Sequence, residues 1–218
     1  METTHTWLDR RFIVTGLLVL FSVFFLGFFS QSEKVNPIFQ TLLVSVTFLL
    51  VVPILYSKIV LKESLKNLGW QKGRAFLGIL SGMIAVAVAL GIIFLLTRTT
   101  ALSEEYFFPI RVEMHFGWFV FYELVLVTLV AFLYEFFFRG LVQLLWLRSF
   151  GLWAPILQAL FFVGLLFLAG DISWQRAPAI LFSPLSGMIA YFSRSIWYSF
   201  GASWVFLFLT DVFLLVIR

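Results

Sequence analysis

The sequence predicts an all-α fold: a polytopic bundle of about seven transmembrane helices. Three observations carry that prediction. Of 218 residues, 62% are hydrophobic and only 12% charged, with a mean hydropathy of +1.05. A soluble domain holds about 25% charged residues, so the excess apolar surface requires a lipid bilayer as its neighbour. The apolar residues also gather into runs long enough to cross a hydrocarbon core of roughly 30 Å. Finally, the punctuation between runs is short, which leaves no room for a soluble domain. A soluble enzyme, a nucleic-acid-binding protein and a disordered tail are excluded. The net charge of +4 and pI near 9.6 are read as topology signals rather than as affinity for polyanions. The absence of cysteine removes disulfides, thiolate catalysis and Cys-metal sites.

In chain order the runs fall at about 12–30, 37–60, 75–97, 116–147, 152–170, 177–193 and 196–217. The first follows Arg10 and Arg11 as the apolar core of a signal peptide would. It is longer than such a core and ends Phe28-Phe29-Ser30 without a small-x-small cleavage site, so it reads as a retained signal anchor. With the second run it makes an N-terminal two-helix membrane hairpin over 1–60, joined to a core bundle over 61–218 in one continuous membrane domain. Pro37, Gly73, Gly151 and Pro178 mark helix starts. The loop from Lys58 to Arg74 is basic and reads as a short interfacial segment, with Trp70 at headgroup depth, that fixes orientation. Gly78 and Gly82 in the third run form a small-xxx-small pair.

Alternating the sides of the membrane assigns Arg10, Arg11, Lys58, Lys62, Lys66, Lys72, Arg74, Arg148 and Arg194 to one face. Lys34, Arg98, Arg111, Arg176 and Arg218 fall on the other. The positive-inside rule then predicts a multi-pass protein of the cytoplasmic (inner or plasma) membrane, N-terminus in the cytoplasm and C-terminus outside. No matched internal repeat supports a small transporter subunit, which is the weakest of the functional readings.

The fourth run holds the intramembrane charges. Glu135 and Arg139 stand one helical turn apart, acid before base, the favourable order for an ion pair. An ionised group in mid-membrane costs about 2.5 kcal/mol or more, so its presence implies a partner or a function. From His115 to Arg148 the helix would run about 50 Å at 1.5 Å per residue. It must therefore tilt, bend near Gly140 or protrude. The pair itself leaves two readings open, a buried salt bridge that fixes packing and an acid or base that acts on a substrate.

Asn67-Leu68-Gly69-Trp70, followed by a span and then by a helix bearing Glu135-x-x-x-Arg139-Gly140, resembles the CAAX protease and bacteriocin-processing (CPBP or ABI) family of intramembrane glutamic endopeptidases. The resemblance covers about residues 60–215. It implies three motifs: Glu-Glu-x-x-x-Arg, Phe-x-x-x-His in the next span, and His-x-x-x-Asn in the last. In that family the first Glu and first His are expected to activate water, while the last His and Asn hold the oxyanion. Here Tyr134 stands at the position of the catalytic Glu, and only Glu135 and Arg139 of the first motif remain. The second motif keeps Phe162 but has Leu166 for His, and the third has Ser203 for His and Leu207 for Asn.

The resemblance thus implies a kept CPBP-like fold and a lost reaction, a pseudoenzyme. The expected function is a membrane scaffold or partner-binding subunit whose vestigial cavity accepts a membrane protein or lipidated peptide. The alternative is an active endopeptidase built on Glu135, processing a peptide or a prenylated or bacteriocin-type substrate. No metal or other cofactor is expected: the histidines, His5 and His115, have no ligand spacing around them. Glu123, Asp171 and Asp211 are the other acids in or beside spans, and an Asp171–Asp211 dyad is a minor possibility. The Tyr134 hydroxyl is expected to join a neutral polar cluster with Glu135, Ser203 or Gln158, although Gln158 could equally bond a backbone carbonyl.

Overall fold

The computed structural model describes residues 10–29 and 36–217. His5, Lys34 and Arg218 lie outside the described residues, as do the side chains of Arg10, Arg11 and Arg148. The described residues form helices joined by short connections and contain no strand. Helix α1 spans Arg10–Gly27 and α2 Pro37–Leu61. α3 is Ala75–Thr99, α4 Phe116–Leu147, α5 Gly151–Leu168, α6 Ala177–Ser193 and α7 Ile196–Val216. Five of these, α2, α3, α4, α5 and α7, are long and apolar enough to cross a membrane.

Local chemistry sets several of the boundaries. Asn36 caps α2, its side-chain oxygen accepting from Ile38 N at 2.9 Å and Phe39 N at 3.4 Å, with Pro37 at the first helical position. Ser195 caps α7 through Trp197 N at 3.2 Å. α2 and α6 both stop on a left-handed residue, Lys62 (φ 54°) and Arg194 (φ 58°). At 1.5 Å per residue, α4 would measure about 48 Å. Within it Glu135–Leu144, which includes Gly140, is wound as a π-helix.

The lid of one end of the bundle is the basic 62–74 connection. Its single 3₁₀ turn, Leu65–Leu68, buries Leu68 completely and lies against α4, the Leu68 carbonyl standing 2.8 Å from where a Gly140 Cβ would be. Gly69, at φ 82°, is pressed between Leu144 and Ile196, so only glycine fits its conformation and its space. Backbone bonds then lace the loop to the α6–α7 turn: Arg74 N to Ser193 O at 2.7 Å and Ile196 N to Gly69 O at 3.1 Å. The Trp70 indole packs edge-on against Phe132, Phe136 and Trp197.

At the opposite end lie the 100–115 and 169–176 connections, joined where Phe107 N donates to Gln175 Oε1 at 3.0 Å. Charge is segregated between the ends. Lys62, Lys66, Lys72, Arg74 and Arg194 gather at the first, whereas the second mixes Arg111 and Arg176 with Glu104, Glu105, Glu113 and Asp171.

α6 is the central element. It packs against α3, α4, α5 and α7, and its face of Ser183, Ser186, Gly187 and Ala190 is buried. One apolar cluster unites α1, α2, α4 and α5 through Val19, Leu49, Phe136, Phe138 and Leu165. A second unites α3, α6 and α7 through Ala89, Ile93, Phe182 and Phe206. Thr15 and Tyr56 hydroxyls bond at 2.7 Å and tie α1 to α2. Large apolar side chains such as Phe76, Met83 and Phe116 remain exposed on the outer surface, which fits a lipid environment.

Candidate functional site

Four-residue spacing on two helices builds the site. On α4, Glu123, Val127, Ala131, Glu135 and Arg139 fall on one stripe, and on α7 Ser203, Leu207 and Asp211 do the same. The two stripes face each other beside α6 and, Glu123 apart, line a cavity of about 210 Å³. Glu135, Arg139, Tyr134, Leu166, Ser203 and Leu207 all line it, although they come from three helices. Gln158 stands beside it rather than on its wall.

At the inner end Glu135 is 1% exposed. Its Oε1 accepts from Ser186 Oγ at 2.6 Å and from Ser203 Oγ at 2.7 Å. The Arg139 Nε stands 3.5 Å from the same oxygen, too far for a strong charge-assisted bond. Arg139 instead donates through Nη2 to the Ser183 carbonyl at 3.2 Å. Glu135 Oε2 has no donor among the described residues.

Two glutamines fasten α6 from behind. Gln158 Nε2 donates to the carbonyls of Ser183 and Pro155, both at 2.9 Å, and Gln143 Nε2 to the Gly187 carbonyl at 2.7 Å. Gly187 lets them approach, for a Cβ there would lie 2.7 Å from Gln158 Nε2 and 2.9 Å from Gln143 Oε1. The expected cluster of Tyr134 with Gln158 is therefore replaced by bonds to backbone, because helix carbonyls take up the Gln158 amide. Tyr134 stacks on Phe138 and meets Phe162 edge-on. Its hydroxyl lies within electrostatic reach of Arg176 and Asp171 instead of bonding Glu135 or Ser203.

The outer end carries a group that the motif comparison did not single out. Glu123, 1% exposed, and Asp211, 3% exposed, present their carboxyls to each other. Tyr106 donates its hydroxyl to Asp211 Oδ1 at 2.5 Å. Burial, with the Asp211 carboxyl beside it, pushes the Tyr106 phenol far above its ordinary range, so it remains a donor. Neither Glu123 carboxylate oxygen receives an N–H or O–H bond from the described residues. Asp171, the other member of the dyad considered from the sequence, goes elsewhere. Its Oδ2 is held by Arg176 through Nε at 2.7 Å and Nη2 at 2.6 Å. The signal that would have found the outer pair was the spacing of Asp211, one turn beyond Leu207 on the motif stripe.

His115 sits at the start of α4 beside Gly117 and Trp118, far along the helix from Glu135. Among the described residues no group of three or more His, Cys, Asp or Glu is placed to hold a metal ion. No family model, curated protein or solved structure matches this chain.

Proposed function

We propose that the protein is a non-catalytic member of the CPBP fold that spans the membrane seven times, N-terminus in the cytoplasm and C-terminus outside, and holds a segment of a membrane partner in its cavity. The carrying observation is the makeup of the wall. Tyr134, Leu166, Ser203 and Leu207, the positions where the family resemblance expects proton-transfer and oxyanion groups, line the same cavity as Glu135 and Arg139. Leucine moves no proton, and a serine already bonded to Glu135 offers one hydroxyl. The chemistry is missing while the space is kept. In a chain with 29 phenylalanines such a space could readily be filled, and an empty cavity is destabilising.

A photo-crosslinking side chain at Leu207 is expected to capture a defined protein from intact membranes, whereas the same group at exposed Phe76 captures lipid. Equal capture from both positions would sink the reading.

One observation favours a second reading, an endopeptidase that uses Glu135 as base: its Oε2 is free of donors. Cleavage of a family-type peptide by the purified protein, abolished by Glu135→Gln, would establish it in place of the first.

A further inference from the structure

We propose that the cavity takes an organic ammonium group, received at its outer end by the Asp211 carboxyl with Glu123 behind it. The inference rests on reading the cavity as a binding site and adds the chemistry of what enters.

The arginines nearby already have partners. Arg139 lies between Glu135 and the Ser183 carbonyl, and Arg176 is bonded twice to Asp171. Among the described residues no Lys or Arg forms an ion pair with Glu123 or Asp211. The groups facing them are two phenols, Tyr106 from the 100–115 connection and Tyr122 from α4, with the Arg176 charge reaching Tyr122. The two arginines on the cavity wall, Arg139 and Arg176, are thus taken by Glu135 and Asp171, and the Asp211 carboxyl on the same wall is left without an arginine.

An independent observation at the other end agrees. Glu135 is buried, lines the cavity and leaves Oε2 without a donor. The space therefore ends in a carboxyl on either side. Between them run Tyr122, Tyr134, Phe162 and Phe182, whose ring faces attract a cation while their bulk suits an alkyl stem. An ammonium carried on a short hydrocarbon chain satisfies both features, whether it is a free alkylamine or the side chain of a lysine presented by a partner.

Without a cation, two buried carboxyls bond each other only by sharing a proton. An arriving ammonium donates to Asp211 in its place, and the shared proton leaves to solvent as the free acid pair becomes carboxylate. Binding then releases about one proton and tightens with rising pH while the amine stays charged.

The full chain in a non-ionic detergent, titrated calorimetrically with hexylammonium, hexanol and hexanoate, tests this. Running each titration in two buffers of different ionisation heat counts protons. Hexylammonium alone is expected to bind, with proton release, and Asp211→Asn and Glu123→Gln are each expected to weaken it about tenfold. Both changes are near-isosteric, and circular dichroism of the variants checks their fold. A model transmembrane peptide with one lysine, set against its glutamine counterpart, tells a partner's side chain from a free amine. Hexanol or hexanoate binding as tightly as hexylammonium would overturn the cation assignment and leave the cavity a binding site. Absence of any binding, with partner capture at Leu207 intact, would overturn this assignment alone.

Discussion

Glu135 concentrates its bonding on one oxygen, and the energetics of the site follow from that asymmetry. Two serine hydroxyls and the nearby guanidinium compete for Oε1. Ser203→Ala leaves Ser186 in place and is expected to cost about 1 kcal/mol of stability. Arg139→Ala removes the guanidinium beside a buried carboxylate and should cost about 3 kcal/mol. If the two charges interact directly, the Glu135→Ala, Arg139→Ala double variant loses less than the sum of the singles. Unfolding by SDS titration from mixed micelles measures all four proteins; strict additivity would show that the 3.5 Å separation carries no coupling. Gly187→Ala brings a methyl onto the two glutamine side chains and is expected to cost about 1–3 kcal/mol. The i, i+4 spacing of Glu135 and Arg139 was legible in the sequence, because helix geometry alone fixes it. The two serines were less so: Ser203 was noticed as a substitution, and Ser186 was hidden among the many small residues of α6.

Among the helices, α6 and α4 show where sequence reading succeeds and where it stops. Hydropathy located both helices, although of the two only α4 is long and apolar enough to cross a membrane, α6 having 17 residues. It did not reveal that α4 is wound as a π-helix over Glu135–Leu144, nor which loop that stretch meets. The 3₁₀ turn at Leu65–Leu68 presses on Gly140 from a loop seventy residues upstream. Hydrogen bonds also bind that loop to the α6–α7 turn. Gly73, at φ 55°, has room for no Cβ, which would stand 2.1 Å from the Ser193 carbonyl. Gly73→Ala is therefore expected to detach the loop and speed tryptic cleavage after the exposed Lys66 and Lys72, while Gly91→Ala, in open space, leaves the digestion pattern unchanged. Ser195→Ala removes both the α7 cap and the bond to the Gln71 carbonyl, a loss of about 1 kcal/mol.

Across the whole molecule, the feature most open to sequence reading was the distribution of basic residues between the connections. The described lysines and arginines of the 62–74 loop and the α6–α7 turn share one end of the bundle. Exchanging Lys58, Lys62, Lys66, Lys72 and Arg74 for glutamine is expected to produce mixed orientations. The natural chain has no cysteine, so single cysteines at Gln71 and Gln175 report sidedness by labelling without background. Identical labelling of the parent and the exchanged protein would count against charge as the determinant. The outer acid pair escaped sequence reading at this scale, since Glu123 and Asp211 are 88 positions apart and meet only because α4 and α7 are neighbours. The charged ends also make the bundle an electrical object. In a membrane negative on the side of the 62–74 loop, carrying each of those cations to the other side would require work of about 2.3 kcal/mol per 100 mV. The potential of an energised cell would then act as a continuous restoring force on the protein's orientation, one that vanishes when the membrane is depolarised.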